Sequence, residues 1–287
     1  MSAPLWRTGL WIAIVVAGWQ LSFNATAGQR IVSTDGAITE ILFALGAQDQ
    51  LVGVDTTSQY PAQARALPSV GYRRTLTAEG MLALQPDAII VTPESGPSDT
   101  LDRLERSGIK LLRVKDVVQP QDILSRVEQI AQWVDKADAG KQLQKQLQQQ
   151  LQQVQAQLPL TSPPTVLFLL AAGNRGMMVA GRNTQAQKML DALGLPNLAE
   201  NIESYKPLNQ ESLLALQPQL IVVAETQPGA FNPAHWPSMA TTPAGHNQRI
   251  AVFDSMYLLG MGPRLPVALA ELLAAAKHLP LPDAHAD

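Results

Sequence analysis

Tyr72, Arg73 and Arg74 stand together in the string GYRRTLTAEG (residues 71–80), just ahead of a helical stretch, and Tyr72 is one of only 4 tyrosines in the chain. A phenol titrates at about pH 10 and is ordinarily neutral, but adjacent cations favour the phenolate and a hard ferric ion favours it further. Phenolate is one of the few protein groups that ligates haem iron, and two neighbouring guanidinium groups offer charge-assisted hydrogen bonds to carboxylates. By itself the triplet is a weak signal, since exposed tyrosine and arginine are ordinary and a surface tyrosine flanked by solvated arginines would look the same. Its position in the fold has to decide.

Other chemistry-bearing strings are weaker. GNRGMMVAG (173–181) is glycine-rich and follows an apolar run, but it matches neither the dinucleotide fingerprint nor a P-loop. Within it, Met177 and Met178 are either soft contacts for a macrocycle or core filler. His235, His246, His278 and His285 show no paired metal-ligand spacing, and no G-x-S-x-G elbow is present. No nucleophile, base and orienter assemble from these motifs, so a reading as an exported enzyme lacks the residues it needs.

The elements that must position Tyr72 alternate regularly. RIVST (30–34), LVGVD (51–55), AIIV (88–91) and KLLRV (110–114) read as strands, with ITEILFALG, AEGMLALQ and LDRLERSG as the helical segments interleaved with them. The same pattern resumes at TVLFLLA (165–171) and continues through KMLDALG, ESLLALQ, LIVVA and RIAVFD. Alternating strands and helices imply an α/β protein whose mostly parallel sheets are covered on both faces. Residues 28–119 are expected to form one Rossmann-like lobe and residues 159–287 a second, with a ligand cleft between them. Between the lobes, Leu143, Leu147, Leu151 and Val154 recur at helical spacing in a glutamine-rich segment. Residues 120–158 are therefore expected to form one long rigid helix of about 35 residues, spanning about 50 Å.

The lobes also repeat. TAEGMLALQPDAIIVT (77–92) aligns without a gap onto NQESLLALQPQLIVVA (209–224), an offset of 132 residues. In each copy a capping residue, Thr77 or Asn209, precedes a first-turn carboxylate, Glu79 or Glu211, which the helix dipole favours. Ligands of α/β lobes collect at loops beyond the carboxyl ends of the strands. Gly71 to Leu76 and Glu203 to Leu208 are the corresponding candidates.

Upstream, a positive residue, an apolar run and ATA (25–27) read as a secretory signal peptide over residues 1–27, cleaved before Gly28; an uncleaved anchor is the rival. Both imply export, and the periplasm suits a chain with no cysteine to form disulfides. The net charge is −3, with no basic tract, which argues against nucleic acid as a partner.

The strings RIVSTDGAITEILFALGAQDQLVGVD, GYRRTLTAEGMLALQPDAIIV, AGRNTQAQKMLDALGLPN and FDSMYLLGMGPRLPVALAEL resemble the haem-binding periplasmic substrate-binding proteins of bacterial haemin ABC importers, over nearly the whole mature chain. The wider superfamily includes cobalamin and siderophore binders. That resemblance implies a non-enzymatic, monomeric carrier in the periplasm, taking haem as cargo and handing it to an inner-membrane ABC permease with its ATPase. It implies Tyr72 as the axial iron ligand, Arg74 as support for that tyrosine and the propionates, and Glu79 and Glu211 as the glutamates that meet permease arginines. Arg73, Arg175, Met177, Met178 and Tyr205 complete the expected haem surroundings. Tyr205 follows from the repeat with a one-residue gap. Where some relatives supply a second-lobe histidine, AAGNRGMMVAG has none, so a second axial ligand and a second haem stay open. The alternative cargo is a corrinoid or a ferric siderophore.

Overall fold

The computed structural model describes residues 29–173 and 176–277. The expected signal peptide, Arg175, and the tail histidines His278 and His285 lie outside the described residues.

The first lobe is a parallel sheet of β1 (Ile31–Ser33), β2 (Leu51–Val54), β3 (Ala88–Val91) and β4 (Lys110–Arg113), in the order β2-β1-β3-β4. Three helices, α1 (Gly36–Ala44), α2 (Ala78–Leu82) and α3 (Ser98–Arg106), follow β1, β2 and β3 along the chain. The central strands are buried throughout, as expected of a sheet with both faces covered.

The link to the second lobe is α4 (Asp122–Trp133) and α5 (Ala137–Gln155). The single long helix expected over residues 120–158 is thus replaced by an antiparallel helical hairpin, in which Gln144 Nε2 reaches the Leu124 carbonyl at 2.8 Å. The cause is local. Asp135 adopts φ 55°, a left-handed conformation that aspartate tolerates better than most residues, and Lys136 N–H returns to the Ala131 carbonyl at 2.8 Å. That pattern closes α4 as a Schellman motif closes a helix. Gly140 lets the two helices touch, since a Cβ there would lie 2.4 Å from that of Ala131. The apolar stripe itself is as expected: Leu147, Leu151 and Val154 are buried on α5.

The second lobe is a mixed sheet of β5 (Val166–Ala171), β6 (Met177–Ala180), β7 (Tyr205–Pro207), β8 (Leu220–Glu225) and β9 (Ile250–Asp254), in the order β7-β6-β5-β8-β9. Strands β5, β8 and β9 are parallel, and β6 runs antiparallel to both of its neighbours. Its helices are α6 (Gln185–Leu193), α7 (Gln210–Leu216), α8 (Pro243–His246), α9 (Ser255–Leu259) and α10 (Leu265–Lys277).

The repeat read from the sequence is structural. Thr77 Oγ1 caps α2 and Asn209 Oδ1 caps α7, and Gln85 and Gln217, each the glutamine of LALQP, take φ 48° and φ 47°. Pro86 and Pro218 follow, and the chain then enters β3 or β8.

Helix α4 packs on α1 and α5 packs on α10, so the hairpin touches both lobes. One apolar cluster runs from Ile38 and Ile41 of the first lobe through Ile130 and Leu151 to Phe168 and Leu269 of the second. Truncating a fully buried leucine in such a core costs about 2–5 kcal/mol. Sliding the lobes apart would expose the shared cluster, which restrains large rigid-body opening.

Candidate functional site

The site grows from the loops beyond the carboxyl ends of β1, β2 and β3. After β2 the chain runs back alongside it, with Val54 N–H to the Pro68 carbonyl and Val70 N–H to the Val54 carbonyl, both at 2.9 Å. Gly71 then takes φ 88°, which a side chain would strain. Tyr72 opens the next turn, its carbonyl accepting Thr75 N–H at 2.8 Å. Two backbone hydrogen bonds stitch this turn to the loop after β3: Gly96 N–H to the Arg73 carbonyl at 2.8 Å, and Leu76 N–H to the Gly96 carbonyl at 2.9 Å. The Tyr-Arg-Arg triplet is therefore held by backbone on both sides.

Arg73 is the fixed member. Its Nη1 donates to Asp35 Oδ2 at 2.8 Å and its Nη2 to Glu94 Oε2 at 2.5 Å. Asp35 is the second residue after β1; its other oxygen caps α1 through Ala37 N–H at 2.9 Å, so one carboxylate anchors both a helix and an arginine. Burial pushes the Asp35 carboxyl above its ordinary range, with Arg73 and the buried Arg126 pulling the other way. For Arg73, burial alone would weaken its hold on the proton, but Asp35 and Glu94 outweigh it and push its pKa up further.

Arg74 has a different character. It is 56% exposed and contacts Glu94 Oε2 at 3.0 Å. Partial burial of Glu94 works against ionisation, but the Arg74 hydrogen bond and the two guanidinium charges prevail, and its pKa falls below the ordinary value. Tyr72 itself is 42% exposed beside this cluster. Tyr72 is thus a partly exposed residue beside two arginines, of which Arg73 is held by carboxylates rather than solvated.

Among the described residues, second-lobe side chains approach the first lobe here through Tyr205, Lys188 and Arg264. Tyr205, on β7, lies within electrostatic reach of Arg74 and Glu94. Burial pushes its phenol up to about 12, although hydrogen bonds with the Ala186 backbone and the Thr184 side chain oppose the shift. Tyr205 is thereby kept a neutral phenol, unlike a group prepared to ionise. Lys188 of α6 pairs with Asp116 beyond β4 at 2.7 Å. Arg264, between α9 and α10, makes a two-pronged pair with Glu40 of α1, Nε to Oε2 at 3.0 Å and Nη2 to Oε1 at 2.6 Å. The Arg264 guanidinium also lies over the ring of Tyr60, 4.0 Å from its centroid, and 5.1 Å from that of Tyr257. Burial raises the Glu40 pKa above the ordinary value even though Arg264 opposes it.

Of the expected haem surroundings, Tyr72, Arg73 and Arg74 share one mouth and Tyr205 stands across from it. Met177 does not join them. It is 5% exposed and packs in a second-lobe cluster with Leu167, Leu169 and Val179, so its role as a haem contact gives way to core filling. Met178, the next residue of the strand, projects to the other face and is half-buried. Glu79 and Glu211 are exposed in the first turns of α2 and α7, at the loop rims of their lobes. His235 and His246 belong to short helical turns of the 226–249 segment.

Sequence reasoning missed Asp35, Glu40, Glu94 and Arg264. Arg264 left a trace as the lone charge in LLGMGPRLPVALA, and Asp35 as a cap before an apolar helix. Glu94 left none, because a glutamate in a polar turn is ordinary. A solvent-open depression of about 770 Å³, lined by Asp87, Lys110 and Trp133, lies at the amino ends of β3 and β4, the opposite pole from the site.

Two α/β lobes with facing loops and a helical tie are the architecture of a periplasmic solute-binding protein. Residues 31–257 match the family described as periplasmic binding protein, and the chain belongs to that family. It is 36% identical to the apo form of the periplasmic heme-binding protein RhuT from Roseiflexus sp. RS-1, covering 88% of this chain and 98% of that one with a TM-score of 0.80. A periplasmic heme binding protein from Pseudomonas aeruginosa is 37% identical, covering 87% and 92%, with a TM-score of 0.75. The vitamin B12-binding protein of Yersinia pseudotuberculosis serotype O:1b (strain IP 31758) is 25% identical over 272 residues, 94% of each chain. The family and its structural neighbours are substrate-binding transport proteins. No helix among the described residues is long and apolar enough to cross a membrane.

Proposed function

We propose that this protein binds ferric haem in the cleft between its lobes and delivers it to an inner-membrane ABC permease. The observation that carries the reading is the accessible phenol of Tyr72 beside a guanidinium pair at the mouth of the first lobe. In this reading Tyr72 ligates the iron, Arg74 receives a propionate, and Arg73 holds the mouth in shape. Tyr205 closes on the porphyrin from the second lobe as a neutral phenol. Similarity to heme-binding proteins at 36–37% identity supports haem over the corrinoid of the 25% identical relative. Chemistry points the same way, since a corrinoid periphery is largely amides and has less use for paired arginines. Glu79 and Glu211, one on each lobe, are the contacts offered to arginines of the permease.

An absorbance titration of the ligand-free protein with haemin, cyanocobalamin and a ferric siderophore tests the cargo. Saturable binding of haemin alone, one equivalent or two, is the expected result. Tight binding of cobalamin with weak binding of haemin would replace haem with a corrinoid.

A further inference from the structure

Arg73 and Arg74 are already matched by two carboxylates, so a ligand bringing its own anions does not find an empty cationic patch. The match is specific. Glu94 Oε2 sits between the two guanidinium groups, 2.5 Å from Arg73 Nη2 and 3.0 Å from Arg74 Nη2. Any ligand carboxylate that seeks both arginines has to take that position or share it with a like charge, which is unfavourable at such range. The partners are unequal. Arg73 is held a second time, by the buried Asp35, whereas Arg74 is exposed and Glu94 is the ion-pair partner in contact with it.

Resting on the haem reading above, we propose that Glu94 is the resident anion of the arginine pair, exchanged at Arg74 for a ligand carboxylate, and that it thereby moderates the site's preference for tetrapyrroles with free carboxylates over esterified or amidated ones. On exchange Arg74 turns to the ligand while Glu94 keeps Arg73, so the loop after β3 stays in place. The arginine exchanges one carboxylate for another at no net cost in paired charge. An ester or amide cannot make the exchange: it either leaves Glu94 where it is or strips Arg74 of its counter-charge for a weaker neutral acceptor. Tyr205 lies within electrostatic reach of both Glu94 and Arg74, which sets the exchange on the cleft side of the mouth.

The test compares wild type, Glu94→Gln and Glu94→Asp in titrations with haemin and with haemin dimethyl ester in the same mixed solvent, after thermal melting has established that the variants fold. Glu94→Gln removes the competing charge. It is expected to tighten haemin binding about tenfold, the scale of one charge-assisted hydrogen bond that no longer has to be broken, and to leave the ester within about twofold. Glu94→Asp keeps the charge and is expected to retain the wild-type ratio. An unchanged acid-to-ester ratio in Glu94→Gln, or equal weakening for both ligands, overturns the exchange and leaves Glu94 a strut, with the haem reading intact. Failure of the wild type to bind either porphyrin overturns both readings together.

Discussion

Replacement of Arg264 by alanine is expected to weaken the joint between the lobes by an amount that depends on pH. Arg264 neutralises Glu40, which is 9% exposed, through a two-pronged pair, and its guanidinium lies over Tyr60. Removing one partner of a buried pair costs about 3–5 kcal/mol, because the other charge stays behind uncompensated. Arg264 is about a quarter exposed, which favours the lower end, and the lost cation–aromatic contact adds about 0.5–1 kcal/mol. A total of about 3–4 kcal/mol corresponds to a fall in Tm of about 6–16 °C at this chain length. The sign with pH follows from linkage. Burial already lifts Glu40 above its ordinary value of 4.5, and loss of Arg264 lifts it further. A carboxyl that holds its proton more tightly folded than unfolded draws on stability as pH rises above the unfolded value. The deficit against wild type is therefore small near pH 4 and grows towards pH 7. Calorimetric melts from pH 4 to 8 measure it, and Glu40→Gln combined with Arg264→Met is expected to recover at least half of the loss. A fall in Tm under 2 °C at pH 7, or a deficit that does not change with pH, would refute the reasoning.

Arg73→Ala and Arg74→Ala are expected to separate. The first strands the buried Asp35 and costs about 2–4 kcal/mol of stability in a denaturant melt, whereas the second leaves stability within about 0.5 kcal/mol and weakens haemin binding about tenfold in an absorbance titration. Charge reversal of both Glu79 and Glu211 to lysine is expected to leave haemin affinity unchanged and to abolish uptake in permease-containing proteoliposomes. Loss of binding instead would assign the two carboxylates to the pocket.

How far the sequence disclosed this depended on whether the governing interactions were local. The four strands of the first lobe, β5, β8 and β9 of the second, the apolar stripe of α5 and the cap at the start of α2 and of α7 all rest on periodicity or on neighbours two or three residues away, and each was legible; β6 and β7, short and antiparallel in glycine-rich and polar strings, were not. The hairpin between α4 and α5 was not, because it hangs on one aspartate in a left-handed conformation inside a segment whose composition favours helix. At the site, Tyr72 with its arginines could be picked out as a cluster. Asp35, Glu94 and the Glu40–Arg264 pair join residues 21 to 224 positions apart, and pairings of that range leave no mark in composition or spacing. Met177 shows the converse: a residue type suited to a macrocycle was placed by strand alternation on the core side of β6.

The central claim is that the phenol of Tyr72 takes the iron. Tyr72→Phe keeps the ring and removes only the oxygen, so its ferric-haem spectrum and affinity are the most direct measurement. The expected result is loss of the phenolate-to-iron charge-transfer absorption together with weakening of at least tenfold, in a variant that melts like wild type. A wild-type spectrum and affinity in Tyr72→Phe would contradict it and move the iron ligand elsewhere.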